Sequence, residues 1–121
     1  MAASITFFDK QYPSICPWRG EKTIFEIIID NMEFDKRFSS IELEKYHESR
    51  FNYFLDLSDL NDEETNTFSE YVFSLFSLVD EKKVMVHDRK RVLTSLGHLS
   101  VLTAAARFIR ESEEEERRNT L

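Results

Sequence analysis

The chain has 121 residues, of which 41% are hydrophobic and 13% aromatic, and its formal net charge at pH 7 is −7. A chain of this length is expected to form one domain around one core. The negative charge argues against broad, sequence-independent attachment to nucleic acid, because such attachment needs clustered Lys and Arg.

Neither export nor membrane insertion is expected. The first ten residues lack the basic leader and apolar stretch of a signal peptide, and the chain has no uninterrupted apolar run of about 18 residues. Cys16 is the only cysteine, so it provides neither an internal disulfide nor a cysteine-based zinc site. We therefore expect a soluble, cytoplasmic protein.

Residues 1–20 contain both prolines, the cysteine and the single tryptophan. This composition predicts an irregular N-terminal arm, with a short strand near residues 5–8. Trp18 is expected in the core, because large aromatic side chains are usually buried at least in part.

Residues 21–96 contain neither glycine nor proline, so long uninterrupted helices are expected. The first is predicted over residues 23–34 by its apolar spacing, with Thr23 and Glu26 at the separation of a capping pair. The segment is also rich in isoleucine, so a strand over residues 23–29 is the alternative.

A second helix is predicted over residues 40–54, where apolar side chains recur at helical spacing. Ser39 and Glu42 have the spacing of a capping box at its start. Residues 51–57 also have an alternation that suits a short strand, which is the alternative for this segment.

The clearest helix is predicted over residues 62–79, where six apolar side chains fall on one stripe. Asn61 and Glu64 have the spacing of a capping pair at its start. A last helix is predicted over residues 88–110, and Gly97 is a candidate break within it.

These elements predict a mainly α fold. Residues 21–110 are expected to form a single compact helical domain, residues 1–20 an irregular arm packed on it, and residues 111–121 a flexible polar tail. The alternative is an α+β domain with short strands near residues 23–29 and 51–57.

Charge is divided unevenly along the chain. Residues 21–80 contain 15 acidic and 5 basic side chains, whereas residues 81–110 contain 7 basic and 2 acidic ones, a net charge of +5. The basic segment is expected either to pack against the acidic helices or to present a second surface.

No motif indicates an enzyme. Glu44 and His47 have the Glu-x-x-His spacing of di-iron bundles, but the second copy of that motif is absent. Cys16 would need a histidine base and an orienting group to act as a nucleophile, and the sequence specifies neither. We therefore expect no catalytic residues, no cofactor and no metal site.

Acidic residues flanked by aromatic side chains are the most informative feature of the chain. Carboxylates accelerate encounter with a basic partner, and aromatic side chains provide buried contact area. Phe73 lies off the main apolar stripe of its helix, although a second packing surface would also explain it. The candidate partner-binding residues are Asp56, Asp59, Asp62, Glu63, Glu64, Glu70, Tyr53 and Phe73.

The leading hypothesis is an acidic protein-binding inhibitor that covers the functional surface of a basic protein such as a toxin or a nuclease. Small acidic bacterial immunity proteins are similar in size and charge, although the likeness involves no shared motif. One alternative is a helical adaptor or oligomerisation module, in which the same aromatic residues join identical subunits. Another is a viral or phage antagonist that uses carboxylates as a phosphate mimic. Nucleic acid and membranes are not expected as partners.

Overall fold

The computed structural model describes residues 2–8 and 17–120, and within them the protein is mainly α-helical with a small sheet. The strands are β1 (Ala3–Thr6), β2 (Trp18–Gly20) and β3 (Phe54–Asp56). The helices are α1 (Lys22–Met32), α2 (Ser40–Glu48), α3 (Asp62–Asp80) and α4 (Arg89–Thr120), with a short 3₁₀ helix at Ser49–Phe51. The expectation of a mainly α fold is confirmed.

The sheet has the strand order β2-β1-β3. β1 pairs antiparallel with β2 and parallel with β3. The described part of the N-terminal arm is therefore built into the fold through two strands, and Trp18 is fully buried, as expected. Its indole nitrogen donates a hydrogen bond to the carbonyl oxygen of Ser95 at 3.1 Å, which joins β2 to α4.

Residues 23–29 are helical, so the strand alternative for this segment is wrong. α1 buries one face, because its apolar side chains recur at helical spacing. These buried side chains are Ile24, Phe25, Ile28, Ile29 and Met32. The predicted capping pair of Thr23 and Glu26 is also wrong, since Glu21 occupies the N-cap position and makes no side-chain cap.

The helix predicted over residues 40–54 is shorter in the structure. Ser39 and Glu42 form the expected capping box at its start. Tyr53 has a φ of 54°, which is a left-handed backbone conformation and cannot continue a right-handed helix. The chain then forms β3, so the strand alternative near residues 51–57 is confirmed.

α3 and α4 pack against each other as a helical hairpin. The capping box of Asn61 and Glu64 at the start of α3 is confirmed. α4 is continuous through Gly97, so this glycine does not divide it. α4 also continues to Thr120, so residues 111–120 are helical, while the flexibility expected of this segment stays a prediction.

Among the described residues, one helix, α4, is long and apolar enough to cross a membrane by length and composition. The qualifying stretch contains Ser, Thr and Gly among its apolar residues. Its mean hydropathy is therefore high although it has no uninterrupted apolar run. The core helix of a soluble protein passes the same test, and α4 buries Val92, Leu96 and Leu99 in the core. However, just 28% of the stretch is buried.

Candidate functional site

A cleft of about 540 Å³ lies between α2 and the first half of α3. Two of its carboxylates, those of Glu42 and Glu64, belong to the capping boxes at the starts of these helices. Each accepts a hydrogen bond from a backbone N–H, that of Ser39 at 3.3 Å and that of Asn61 at 3.1 Å. Because both helices begin beside the cleft, local helix capping places both carboxylates at its rim.

Two further carboxylates, those of Asp59 and Glu63, complete the acidic lining of the cleft. Lys45 donates a hydrogen bond to Asp59 at 2.7 Å, and this bond holds the pKa of the Asp59 carboxyl below its usual value. The carboxylate of Glu63 has neither an ion pair nor a hydrogen bond within residues 2–8 and 17–120. With Lys45 and Arg37 as the two basic lining residues, the cleft carries a net charge of −2.

The floor of the cleft is aromatic. The ring of Tyr46, which is 5% exposed, stacks on Phe68 with a centroid separation of 6.2 Å. Phe38 meets the Tyr46 ring edge-on at 5.6 Å. Burial raises the pKa of the Tyr46 phenol, and the surrounding carboxylates raise it further. Ile41 stands at the rim and is 81% exposed, so the cleft combines an acidic rim with apolar surface.

Asp59, Glu63 and Glu64 are the predicted partner-binding residues that the structure brings together in this cleft. Asp56 lies nearby, at the end of β3, in a separate depression of about 280 Å³. Lys45 lines both cavities and separates Asp56 from the cleft.

The other two predicted carboxylates lie outside the cleft lining. Asp62 is half-buried, and its Oδ1 atom is buried without a hydrogen-bond partner within the described part of the chain. Glu70 is exposed on α3, 3.8 Å from the Nε atom of Arg37. Arg37 pairs more closely with Asp35, at 2.7 Å. Glu70 therefore meets the cleft through Arg37 alone.

The two predicted aromatic anchors lie away from the acidic cleft. The Tyr53 hydroxyl donates a hydrogen bond to Glu26 at 2.8 Å, and its ring packs edge-on against Phe25 of α1. The bond to Glu26 raises the pKa of the Tyr53 phenol. Phe73 is 67% exposed on α3. Phe73 follows Glu64 by nine positions, which is about 180° around an α-helix, so the two side chains lie on opposite sides of α3.

Arg110 lies beneath the acidic residues and is buried. Its guanidinium donates hydrogen bonds to the carbonyl oxygens of Phe7 at 2.6 Å and Leu57 at 3.0 Å, and to the hydroxyl of Thr65. Burial lowers the pKa of Arg110, and nearby carboxylates, with Asp59 the strongest, oppose that shift. One member of the basic segment thus offsets the acidic surface from inside the fold.

Other members of the basic segment form ion pairs at the surface. Arg91 lies 3.0 Å from Glu21, and Arg107 lies 3.0 Å from Glu111 on the same helix. Arg110 therefore packs inside the fold while its basic neighbours stay exposed, and a second binding surface formed by them stays a prediction.

The apolar part of the cleft includes Phe38, Ile41 and Tyr46, and the acidic run after residue 55 does not indicate it. Phe38 lies just before α2, and Ile41 and Tyr46 are about 140° apart around the helix, so helical spacing does not group the three on one face. Tertiary packing, which buries Tyr46 and leaves Ile41 exposed, brings these side chains to one cleft, so no local pattern predicts its apolar part.

No metal cluster is found within the described ranges, which contain no group of three or more His, Cys, Asp or Glu side chains able to hold an ion. Glu44 and His47 both lie on α2, and they form no such group with any other side chain in the part of the chain that the structure describes. Cys16, the candidate nucleophile, lies outside the described residues. Comparison with protein-family models, with curated proteins and with solved structures finds no significant match.

Proposed function

We propose that this protein is an acidic protein-binding inhibitor whose α2–α3 cleft receives a basic and partly apolar segment of its target. The target would be a basic protein such as a toxin or a nuclease, neutralised by covering its functional surface, as immunity proteins do. The observation that carries the proposal is the convergence of four carboxylates around an aromatic floor, with the Glu63 carboxylate unpaired among the described residues.

A lysine or arginine side chain suits both parts of this cleft. Its aliphatic stem can lie along Ile41 and Tyr46, while its charged head reaches Glu63. The Lys45–Asp59 pair does not block such an entry, because both side chains are exposed and exposed pairs contribute about 0–1 kcal/mol. A cation from the target can therefore replace Lys45 beside Asp59 at little cost.

Affinity capture with a charge-neutralised cleft tests this proposal. The variant carries three isosteric changes, Glu42→Gln, Glu63→Gln and Glu64→Gln, and glutamine preserves both capping boxes. Immobilised wild-type protein is expected to retain a basic protein from a host-cell lysate at low salt, and the cleft variant to lose it. Retention should also weaken as salt rises, because screening shortens electrostatic reach to about 10 Å at 0.1 M.

A matched control separates the cleft from overall charge. It carries Glu33→Gln, Glu44→Gln and Asp80→Asn, three exposed carboxylates outside the cleft lining, so both variants change the net charge equally. The control should retain the partner. Capture that fails equally in both variants, or survives in both, would contradict a role for the cleft.

Competition then distinguishes the kinds of target surface. If added duplex DNA displaces the captured protein from the cleft, the covered surface is one that binds nucleic acid. That result would fit a nuclease target as well as the phosphate-mimic hypothesis, in which carboxylates occupy phosphate positions, and would exclude a target whose covered surface does not bind nucleic acid.

A further inference from the structure

α4 has an apolar outer side. Residues 92–106 contain no Asp, Glu, Lys or Arg, although this stretch includes solvent-facing positions. Val101 is 66% exposed and Phe108 is 69% exposed, and Ala104 between them is also exposed. A surface helix normally keeps charged or polar residues on its solvent side. The exposed side of α4 is therefore composed like a contact surface.

α3 extends this surface. Ser69 and Thr103 approach within 3.3 Å, and a Cβ atom at Gly97 would lie 3.7 Å from the Phe76 ring. These two contacts fix an antiparallel register, in which Phe73 of α3 lies between the levels of Gly97 and Thr103. Phe73, Val101, Ala104 and Phe108 are here called the outer face.

The two ends of α4 carry opposite charge. Its first turn contains Arg89, Lys90 and Arg91, whereas residues 111–120 contain five glutamates against Arg117 and Arg118, a net charge of −3. Two copies of α4 packed antiparallel around Val101 would place the basic turn of each against the acidic stretch of the other. Parallel packing would instead bring like charges together, which is unfavourable.

We propose that the outer face binds a second copy of this chain, with the two α4 helices antiparallel across a two-fold axis between Val101 and Ala104. Such an interface is self-complementary, since each copy presents the same apolar centre and the same pair of charged ends. This inference is independent of the proposed inhibitor function, because Glu64 of the cleft and Phe73 of the outer face lie on opposite sides of α3.

The small area of the outer face predicts a weak contact between the two copies. The stretch from Lys90 to Glu115 is about 39 Å long and a helix is about 10 Å wide, which gives about 400 Å² from each copy before Phe73 is added. A total of about 800 Å² lies at the low end of protein–protein interfaces. We therefore expect a reversible dimer whose population depends on concentration.

Sedimentation equilibrium of the full chain, from about 1 µM to about 1 mM, tests the proposal. The wild-type protein should shift from monomer to dimer across this range. Val101→Glu should raise the dimer dissociation constant at least about tenfold, since two carboxylates then meet at the axis. Phe51→Glu is the matched control, because Phe51 is 91% exposed and lies in the 3₁₀ helix. It should leave the dissociation constant unchanged.

Charge reversal tests the antiparallel arrangement. Lys90→Glu and Glu115→Lys should each weaken the dimer, and the double variant should restore it, because the exchanged charges face each other across the interface. Circular dichroism checks that every variant remains helical.

Three results would overturn the proposal. The first is a wild-type protein that remains monomeric throughout the range. The second is a dimer that Val101→Glu does not weaken. The third is a monomeric protein that sediments with anionic phospholipid vesicles and is released by Val101→Glu, which would assign the outer face to a membrane.

Discussion

Replacing Arg110 with methionine should destabilise the protein more than any exposed charge substitution. The guanidinium joins the end of β1, the turn after β3, α3 and α4 through its bonds to Phe7, Leu57 and Thr65. It also lies 5.1 Å from the centroid of the Phe8 ring. A methionine side chain is of similar length but has no hydrogen-bond donor. The buried carbonyl oxygens of Phe7 and Leu57 would therefore lose their hydrogen bonds from Arg110.

The size of the effect follows from these contacts. Hydrogen bonds from a charged donor contribute about 1.5–3 kcal/mol each. Burying the guanidinium has its own cost, because no carboxylate within residues 2–8 and 17–120 forms an ion pair with it, and methionine removes that cost. The net loss in the free energy of unfolding is therefore about 2–4 kcal/mol, out of a total of about 5–15 kcal/mol for a domain. For 121 residues this lowers Tm by roughly 8–16 °C.

Urea denaturation followed by circular dichroism measures this loss, with Arg107→Met as the control. Arg107 lies one turn earlier on α4, is exposed, and makes an ion pair with Glu111, so its replacement should cost less than about 0.5 kcal/mol. Hydrogen exchange should also show loss of protection in β1 when Arg110 is replaced. If the two variants were equally stable, Arg110 would not be the tie between the strands and the hairpin.

Three further predictions concern the packing of the fold. Gly20→Ala should destabilise the protein in thermal denaturation, because the added Cβ would overlap the Trp18 indole ring; an unchanged Tm would contradict this packing. Asn61→Ala removes the cap of α3 and should cost about 1 kcal/mol in urea denaturation, whereas Asn61→Ser should retain most of it. Burial raises the pKa of the Tyr46 and Tyr71 phenols above their ordinary value of 10.0. Keeping these phenols neutral therefore contributes its full stabilisation of the folded protein below pH 10.0, and this contribution is lost as the pH rises through the raised pKa values. In an absorbance titration at alkaline pH both phenols should ionise together with unfolding, and ionisation of either in the folded protein would contradict this.

The helices follow from local sequence, whereas the sheet does not. The apolar stripes and capping boxes of α2 and α3 are contained within a few turns of chain, so their starts can be read directly. β1 and β3 pair as short parallel strands about fifty residues apart. Strands of four residues or fewer show too little alternation of apolar and polar residues to reveal that pairing. In α1 the isoleucines are compatible with a strand, but they also form the buried face of a helix.

The candidate site could be predicted in part, because sequence proximity does not determine which side of a helix a residue occupies. The acidic run includes Asp59, Glu63 and Glu64, which share the cleft. Tyr53 is close in sequence, but its left-handed backbone turns its side chain toward α1. Arg110 belongs to the basic segment in sequence, and no local pattern indicates that it is buried under the acidic surface.

The association rate of the protein with its captured partner tests the central claim most directly. Stopped-flow mixing at several ionic strengths should show fast, salt-dependent association for the wild-type protein and for the control variant altered at Glu33, Glu44 and Asp80. The cleft variant altered at Glu42, Glu63 and Glu64 should associate about tenfold more slowly, with a weaker dependence on salt. Equal rates and equal salt dependence for all three proteins would contradict the assignment of the cleft as the partner-binding site.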